Sequence, residues 1–371
     1  MLAPKLNIFN QVTITDWREN NHLDENGDLI PGIYRGMPDY IYHSTHGYSS
    51  SLFKLMKSKS PFHVKRKYID KRGKPITRAT QKIFNFGTLV HELSLEATRF
   101  YDHYFKLPEN KGFDEWTTDD LKAKAKELEL KVSGTRSDLK TRINDALPEG
   151  AKKIWEYDDE VESLINLHCA GERLEAIKGA MKGPTTLYNA IWNDPDNHEF
   201  LTLPIEHKTW VEVHELFDAL MGNPFISIGL SEGEPELSCF AICPETGLLL
   251  KCRYDFLNIH GHAWDIKTTR SAEEFAFNRH ANDLGYDLQD AFYVYVGQLC
   301  GLDVNKFLFA IVEKEEPIAD AAEYSLNAKM RAKEKLRHYL QLFKNCLDNN
   351  DWPAYKAVPS IMQLDNKRGY Y

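Results

Sequence analysis

The chain has 371 residues, 42% of them hydrophobic and 12% aromatic, enough to bury a sizeable core in one large domain or two ordinary ones. Its formal net charge of −9 argues against indiscriminate coating of nucleic acid, which needs concentrated Lys and Arg. There is no apolar run of roughly 18 residues, and MLAPKLNIFNQ lacks a signal-peptide pattern; no membrane partner is expected, and the cytoplasm is the expected location.

The first 48 residues are turn-rich, with one short strand expected around Ile33. From Tyr48, YSSSLFKLMKSKSPF reads as a helix whose start is capped by the hydroxyls of Ser49 to Ser51, with Pro61 opening the next helix. From Leu52 to Lys82, eleven Lys and Arg, including Lys54, Lys65 and Arg66, accompany a single acid, Asp70. Such a run is either a solvated basic face or a phosphate-binding surface. FNFGTLVHELSLEA then places Phe86, Leu89, Val90 and Leu93 at helical spacing.

Residues 111–150 are poorer in apolar residues and richer in charge, and read as an inserted module of two short amphipathic helices around Ser133-Gly134-Thr135. Residues 151–230 are mainly helical, with Trp210, Val213, Leu216, Phe217 and Leu220 forming one core stripe. The period then becomes strand-like through ELSCFAI, LLLKCRYDFLNI and AWDIKTT, a three-stranded meander. Two helices follow from Ser271, then a strand at KFLFAIVEK, then one long charged helix in the tail from Ala321. Four segments result: 1–110, the insert 111–150, a core 151–320 and a tail 321–371. The six cysteines show no zinc spacing and read as structural thiols, Cys239 and Cys243 included.

Asp255 lies near the end of the second meander strand, and the third delivers Asp265-Ile266-Lys267, whose alternation puts Asp265 and Lys267 on one face. Two carboxylates from neighbouring strands suit a hard cation, and a lysine beside them can orient and help deprotonate an attacking water. By spacing alone the same residues could be solvated charges near a turn.

The order of GTLVHELSLE on a helix, Glu236 on a strand, Asp255, Asp265-Ile266-Lys267 and a helix bearing Gln289 and Tyr293 resembles the PD-(D/E)XK nuclease superfamily. Within it, SSSLFKLMKSKSP makes the chain most similar to the RecB/RecE-like branch (the exonuclease VIII C-terminal nuclease domain), over roughly residues 31–312 without the insert. The resemblance implies an α/β (α+β), restriction-endonuclease-like core with a central mixed sheet flanked by helices. It implies His91, Asp255, Asp265 and the Ile266 carbonyl as metal ligands, Lys267 as the catalytic lysine, Glu236 beside a second metal, and Gln289 and Tyr293 bordering the DNA. Alone on an apolar helix face, His91 would read as a core residue. Where the family often has Pro, this chain has Tyr254. Ser50 is a candidate for a terminal 5′ phosphate, alongside helix capping.

The insert, TTDDLKAKAKELELKVSGTRSDLKTRINDAL, resembles a SAP motif; Lys131, Arg136, Lys140 and Arg142 are its candidate phosphate contacts, and a hairpin that only packs is the alternative. Together the resemblances imply Mg²⁺, with Mn²⁺ able to substitute, and no iron–sulfur cluster. They imply processive 5′-to-3′ degradation of double-stranded DNA ends, leaving 3′ overhangs for recombination. The implied partners are a single-strand annealing protein and further copies of the chain in a homo-oligomer; the implied setting is a phage or prophage. A Cas4-like or structure-selective nuclease and an inactive DNA-binding module remain open.

Overall fold

A computed structural model of the chain describes residues 7–19, 22–73, 78–109, 117–147, 156–181, 186–194, 197 and 201–355, with backbone only at 78–84, 137, 156–159 and 193. The Lys74, Arg78 and Lys82 side chains of the basic run lie outside the described part. The chain begins with β1 (Ile14–Asp16), β2 (Gly32–Arg35), α1 (Asp39–Ser44), α2 (Ser50–Ser58), α3 (Pro61–Val64) and α4 (Arg78–Leu95). It continues through α5 (Ala97–His103), β3 (Tyr104–Lys106), α6 (Thr118–Glu127), α7 (Arg136–Ala146), α8 (Glu156–His168), α9 (Glu172–Ala180), α10 (Leu187–Asn193), β4 (Leu203–Ile205), α11 (His207–Gly222) and α12 (Pro224–Gly229). The meander follows as β5 (Gly233–Ile242), β6 (Leu249–Asn258) and β7 (His262–Thr269), then α13 (Glu274–Leu284), α14 (Tyr286–Leu299), β8 (Lys306–Glu313), β9 (Ala319–Ala322) and α15 (Leu326–Asn349).

Two compact units result, one of residues 1–87 and 218–371, the other of 88–217, with the boundaries falling inside α4 and α11. The first holds a seven-stranded sheet in the order β1-β2-β5-β6-β7-β8-β9. β5, β6 and β7 are antiparallel neighbours, whereas β7 and β8 run parallel, from His262 beside Lys306 to Thr269 beside Glu313. A parallel pair needs a crossover, and α13 and α14 supply it. The expected mixed sheet with flanking helices is therefore present.

One face of that sheet carries the main core, in which Leu237, Cys239, Cys252 and Tyr254 pack with Leu288, Phe292 and Val296 of α14 and with Leu336, Leu340 and Phe343 of α15. α14 is buried almost all round, including Asp287, Gln289 and Asp290, so water is largely denied to those three polar side chains. A second cluster, Tyr34, Met37, Tyr42 and Phe240, lies under α1. All six cysteines are free thiols, and Cys239 pairs directly across from Cys252.

In the second unit, β3 and β4 form a parallel pair beside a core of Phe105, Leu107, Ile165, Leu174 and Ile191. The α6–α7 hairpin has its own small core of Leu121, Ala125, Leu139 and Ile143. Both its helices open with complete capping boxes, Thr117 with Asp120 and Thr135 with Asp138.

The expected caps at the start of α2 differ. Ser49 is its N-cap residue, but the hydroxyl makes no cap hydrogen bond, and Ser50 is buried. The chain is instead fixed one residue earlier, where Tyr48 N–H donates to Leu249 O at 2.9 Å and Lys251 N–H to Tyr48 O at 3.0 Å. Strand-like anchoring to β6 sets the helix entry in place of a hydroxyl.

The fit of α14 on the sheet depends on Gly297, where an added Cβ would fall 2.2 Å from Tyr254 Oη. Tyr254 Oη also donates to Tyr293 O at 2.6 Å, so the ring cannot simply swing away. Gly297→Ala is therefore expected to cost about 1–3 kcal/mol. A thermal melt should show a midpoint several degrees lower; an unchanged midpoint would mean that α14 is not held by this contact.

Candidate active site

β6 and β7 pair at Phe256 with Trp264 and at Leu257 with Ala263. One residue further, the Asp255 carboxylate enters between the strands, and its Oδ2 accepts the Ile266 N–H at 2.8 Å. A side chain thus takes the place of a strand carbonyl, and the Asp255 and Asp265 carboxylates come to one end of the β6–β7 pair. Asp255 is half-buried; Asp265 is only 3% exposed.

A buried carboxylate must be hydrogen-bonded or paired. Asp265 Oδ1 accepts from Gln289 Nε2 at 2.6 Å, and Oδ2 pairs with the Lys267 ammonium. Lys267 Nζ also lies 4.9 Å from the centre of the Tyr286 ring. Burial opposes the lysine's charge, but the Asp265 carboxylate, and then that of Asp255, outweigh it and hold the ammonium well above its ordinary range.

Gln289 is bonded at both ends, since its Oε1 accepts from Lys54 Nζ at 3.2 Å. Lys54 therefore points into the site rather than standing with the exposed cations of the basic run. Burial, with Lys267 repelling it, pulls Lys54 down to about 8. Arg66 is exposed and Lys65 half-buried in the turn Lys65–Ile69 that follows α3.

Tyr293 sits half-buried one turn beyond Gln289, edge-on to Tyr254 at 5.6 Å and to Phe307 at 5.4 Å. Tyr254, standing where the resemblance leads one to expect Pro, fastens α14 to β6 through the Tyr293 carbonyl.

Glu236 has φ +48, in the left-handed region that glutamate rarely adopts. Pro235 pairs with Phe256 and Leu237 with Tyr254, so Glu236 lies across from Asp255 in the ladder. Its Oε2 is 3.8 Å from Arg253 Nη1. Arg253 in turn bonds Ser238 Oγ at 2.9 Å, Met37 O at 2.9 Å and Asp39 Oδ1 at 3.1 Å, over the Tyr42 ring. A strained residue held by a rigid scaffold is a common property of functional positions.

Sequence reasoning missed Arg253, Tyr286 and Asp287. The available signal was polar residues at inward positions of YDLQD, which opens α14. Asp287 receives Lys57 and Lys335, each at 2.8 Å, from α2 and α15.

His91 lies half-buried on α4 in the second unit. In the α6–α7 hairpin, Lys131 and Arg136 are exposed and Lys140 is half-buried. Arg142 is turned onto its own loop, donating to Lys131 O and, at 2.7 Å, to Ser133 O. It fastens the turn, and its guanidinium Nη2 would lie 2.5 Å from a Cβ at Gly134, which has φ +131.

Residues 209–358 match a family described as a PDDEXK-like domain of unknown function, and residues 112–148 match the SAP domain. The chain therefore carries a PD-(D/E)XK-like domain and a SAP domain. No curated protein matches it. Among solved structures, a nominal exonuclease from Eubacterium rectale is 13% identical, covering 80% of this chain and all of its own, at a TM-score of 0.31. The protein SSO0001 is 15% identical, covering 60% and 84%, at 0.22. Scores this low do not equate the folds, and the assignment rests on the two family matches. A PD-(D/E)XK-like domain is a nuclease domain, and such domains generally work with divalent metals.

Among the described residues, no group of three or more His, Cys, Asp and Glu side chains is arranged as a ready metal cluster. The oxygen-only pair of Asp255 and Asp265 fits a hard cation, which prefers carboxylate and carbonyl donors. No described helix is long and apolar enough to cross a membrane.

Next to the site, Asp290 is buried, and its Oδ2 has no hydrogen-bond partner among the described residues. Burial pushes its carboxyl from 3.8 up to about 7; Lys329 and Lys333 oppose the shift, and Glu323 and Asp287 add to it. Between about 4 and 7 the folded protein therefore keeps a proton that the unfolded chain releases, so this group lowers stability as pH rises through that window. Asp290→Asn is expected to raise the melting midpoint by a few degrees at pH 8 and hardly at all near pH 4. Equal shifts at both pH values would show that burial does not set this carboxyl.

Proposed function

We propose that the protein is a metal-dependent exodeoxyribonuclease that degrades linear double-stranded DNA from its ends, 5′ to 3′, leaving 3′ overhangs for recombination. The observation that carries this reading is the convergence of Asp255, Asp265 and Lys267 at the β6–β7 pair, with Asp265 fixed on both oxygens. Polarity and end-dependence come from the RecB/RecE-like resemblance, and so does a single-strand annealing protein as partner.

In this reading Asp255, Asp265 and the Ile266 carbonyl hold Mg²⁺, for which Mn²⁺ can substitute. Bound there, the ion would offset the negative charge of the phosphoryl oxygens and make a bound water more acidic. Lys267, already drawn to Asp265, lies where it can orient that water and offset charge growing on the phosphate. Glu236, opposite Asp255 and facing Arg253, adds a third carboxylate from the neighbouring strand β5. Gln289 and Tyr293 border the strand being cut. Lys65 and Arg66 of the basic run, and the SAP hairpin by itself, grip phosphates, which position DNA without reading its sequence.

Nucleotide release from linear 5′-phosphorylated duplex DNA in Mg²⁺ tests the proposal, with a covalently closed circle and the isosteric Asp265→Asn protein in parallel. Release from the linear DNA alone, abolished by the substitution in a protein that melts normally, is expected. Cutting of the circle would favour a structure-selective endonuclease, and absence of metal-dependent release would leave a DNA-binding module.

The hairpin gives a separate expectation. Replacing Lys131, Arg136 and Lys140 together by Ala should weaken DNA binding and flatten the slope of log affinity against log salt by up to about 2.7, at about 0.9 per phosphate contact. The rate at saturating DNA should not change. An unaltered slope would make the hairpin a packing element only.

A further inference from the structure

Two lysines of the basic run turn inward, Lys57 to Asp287 and Lys54 to the candidate site. Lys54 Nζ reaches Gln289 Oε1 at 3.2 Å, and the other end of that amide donates to Asp265 Oδ1 at 2.6 Å. Gln289 is 5% exposed and Asp265 is 3% exposed, so water cannot easily replace either bond. An ammonium only donates and an ionised carboxylate only accepts, whereas a primary amide has one accepting and one donating end. With Lys54 on one side and Asp265 on the other, a single orientation of the Gln289 amide satisfies both. Without Lys54, the amide oxygen would be left buried with nothing to fix it.

The rest of the Lys54 side chain is confined as well. Its Cγ lies 3.3 Å from where a Cβ would stand on Gly285, the left-handed residue that ends α13 and starts α14. Its ammonium lies over the Tyr286 ring at 5.6 Å, the same ring that Lys267 approaches at 4.9 Å. A phosphate contact needs a cation that can swing out to the DNA, and this one is pinned at stem and tip.

We infer that Lys54 is a positioning residue that fixes, through the Gln289 amide, the orientation of Asp265, and is not a contact to the DNA backbone. The inference rests on reading Asp265 as an active-site carboxylate. Removing the group that orients a metal-binding side chain typically costs about 10–100-fold in metal affinity or activity.

The test compares the full-length protein with Lys54→Met and with Arg66→Ala as an exposed control. Lys54→Met should lower Mg²⁺ affinity by calorimetry, or the rate at saturating DNA, by about 10–100-fold. The salt slope of DNA binding should stay unchanged. A slope reduced by about 0.9 with the saturated rate intact would mark Lys54 as a phosphate contact and overturn the inference.

A readout independent of activity is the side-chain amide resonance pair of Gln289 in the metal-free protein. It should move in Lys54→Met and stay in place in Arg66→Ala. Resonances unmoved by Lys54→Met would overturn the inference whatever the rates. If they move but the unsubstituted protein releases no nucleotide, it is the nuclease reading that fails. Should Lys54→Met not fold, Lys54→Gln, which keeps a donor, should give a smaller loss at the same unchanged slope.

Discussion

A carboxylate buried in the middle of a sheet is the constraint around which the first unit is organised. Asp265 must stay charged to be useful, and burying a charge without partners costs far more than a single fold can absorb. Lys267, two residues along the same strand, meets one oxygen, and Gln289 of α14 meets the other. For Gln289 to arrive there, α14 must lie deep against the sheet, and that burial forces Asp287 and Asp290 inside with it. Asp287 is then answered by Lys57 from α2 and Lys335 from α15. One buried acid thus determines which faces of three helices meet. Asp290, whose Oδ2 has no hydrogen-bond partner among the described residues, is where that arrangement is least satisfied.

The same central strands carry two local departures from regular strand geometry. Asp255 uses its side chain to take the Ile266 N–H, which opens the β6–β7 ladder at the position where the carboxylates gather. Opposite it, Glu236 is held at φ +48 beside an arginine that is itself fixed by four other contacts. Regular strands bury their polar groups in the ladder; here the ladder yields where Asp255 and Glu236 stand.

The SAP hairpin follows a different economy. Four residues form its core, and each helix is closed by its own Thr–Asp capping box, so its stability is local. Arg142 illustrates the limit of matching positions to a motif. It stands in the basic series, yet its guanidinium is committed to the carbonyls of the turn, while Lys131 and Arg136 of that series stay exposed.

Periodicity in the sequence determined the long elements: the three-stranded meander, the strand KFLFAIVEK, and the helices containing His91, Gln289 and the charged tail. Local signals are strong there because each element is long enough for its hydrophobic spacing to repeat. The Asp265 and Lys267 pairing was equally legible, since two residues apart on a strand means one face. Strands of three or four residues such as β1, β3, β4 and β9 were not, because so short a run has no period and exists only through its neighbours. Tertiary structure alone decided that Lys54 serves Gln289, that Arg253 stands by Glu236, and that Asp287 joins α2 to α15. These pairs are 235, 17, and 230 and 48 residues apart, and the preference for each arises only once burial removes water as the competing partner.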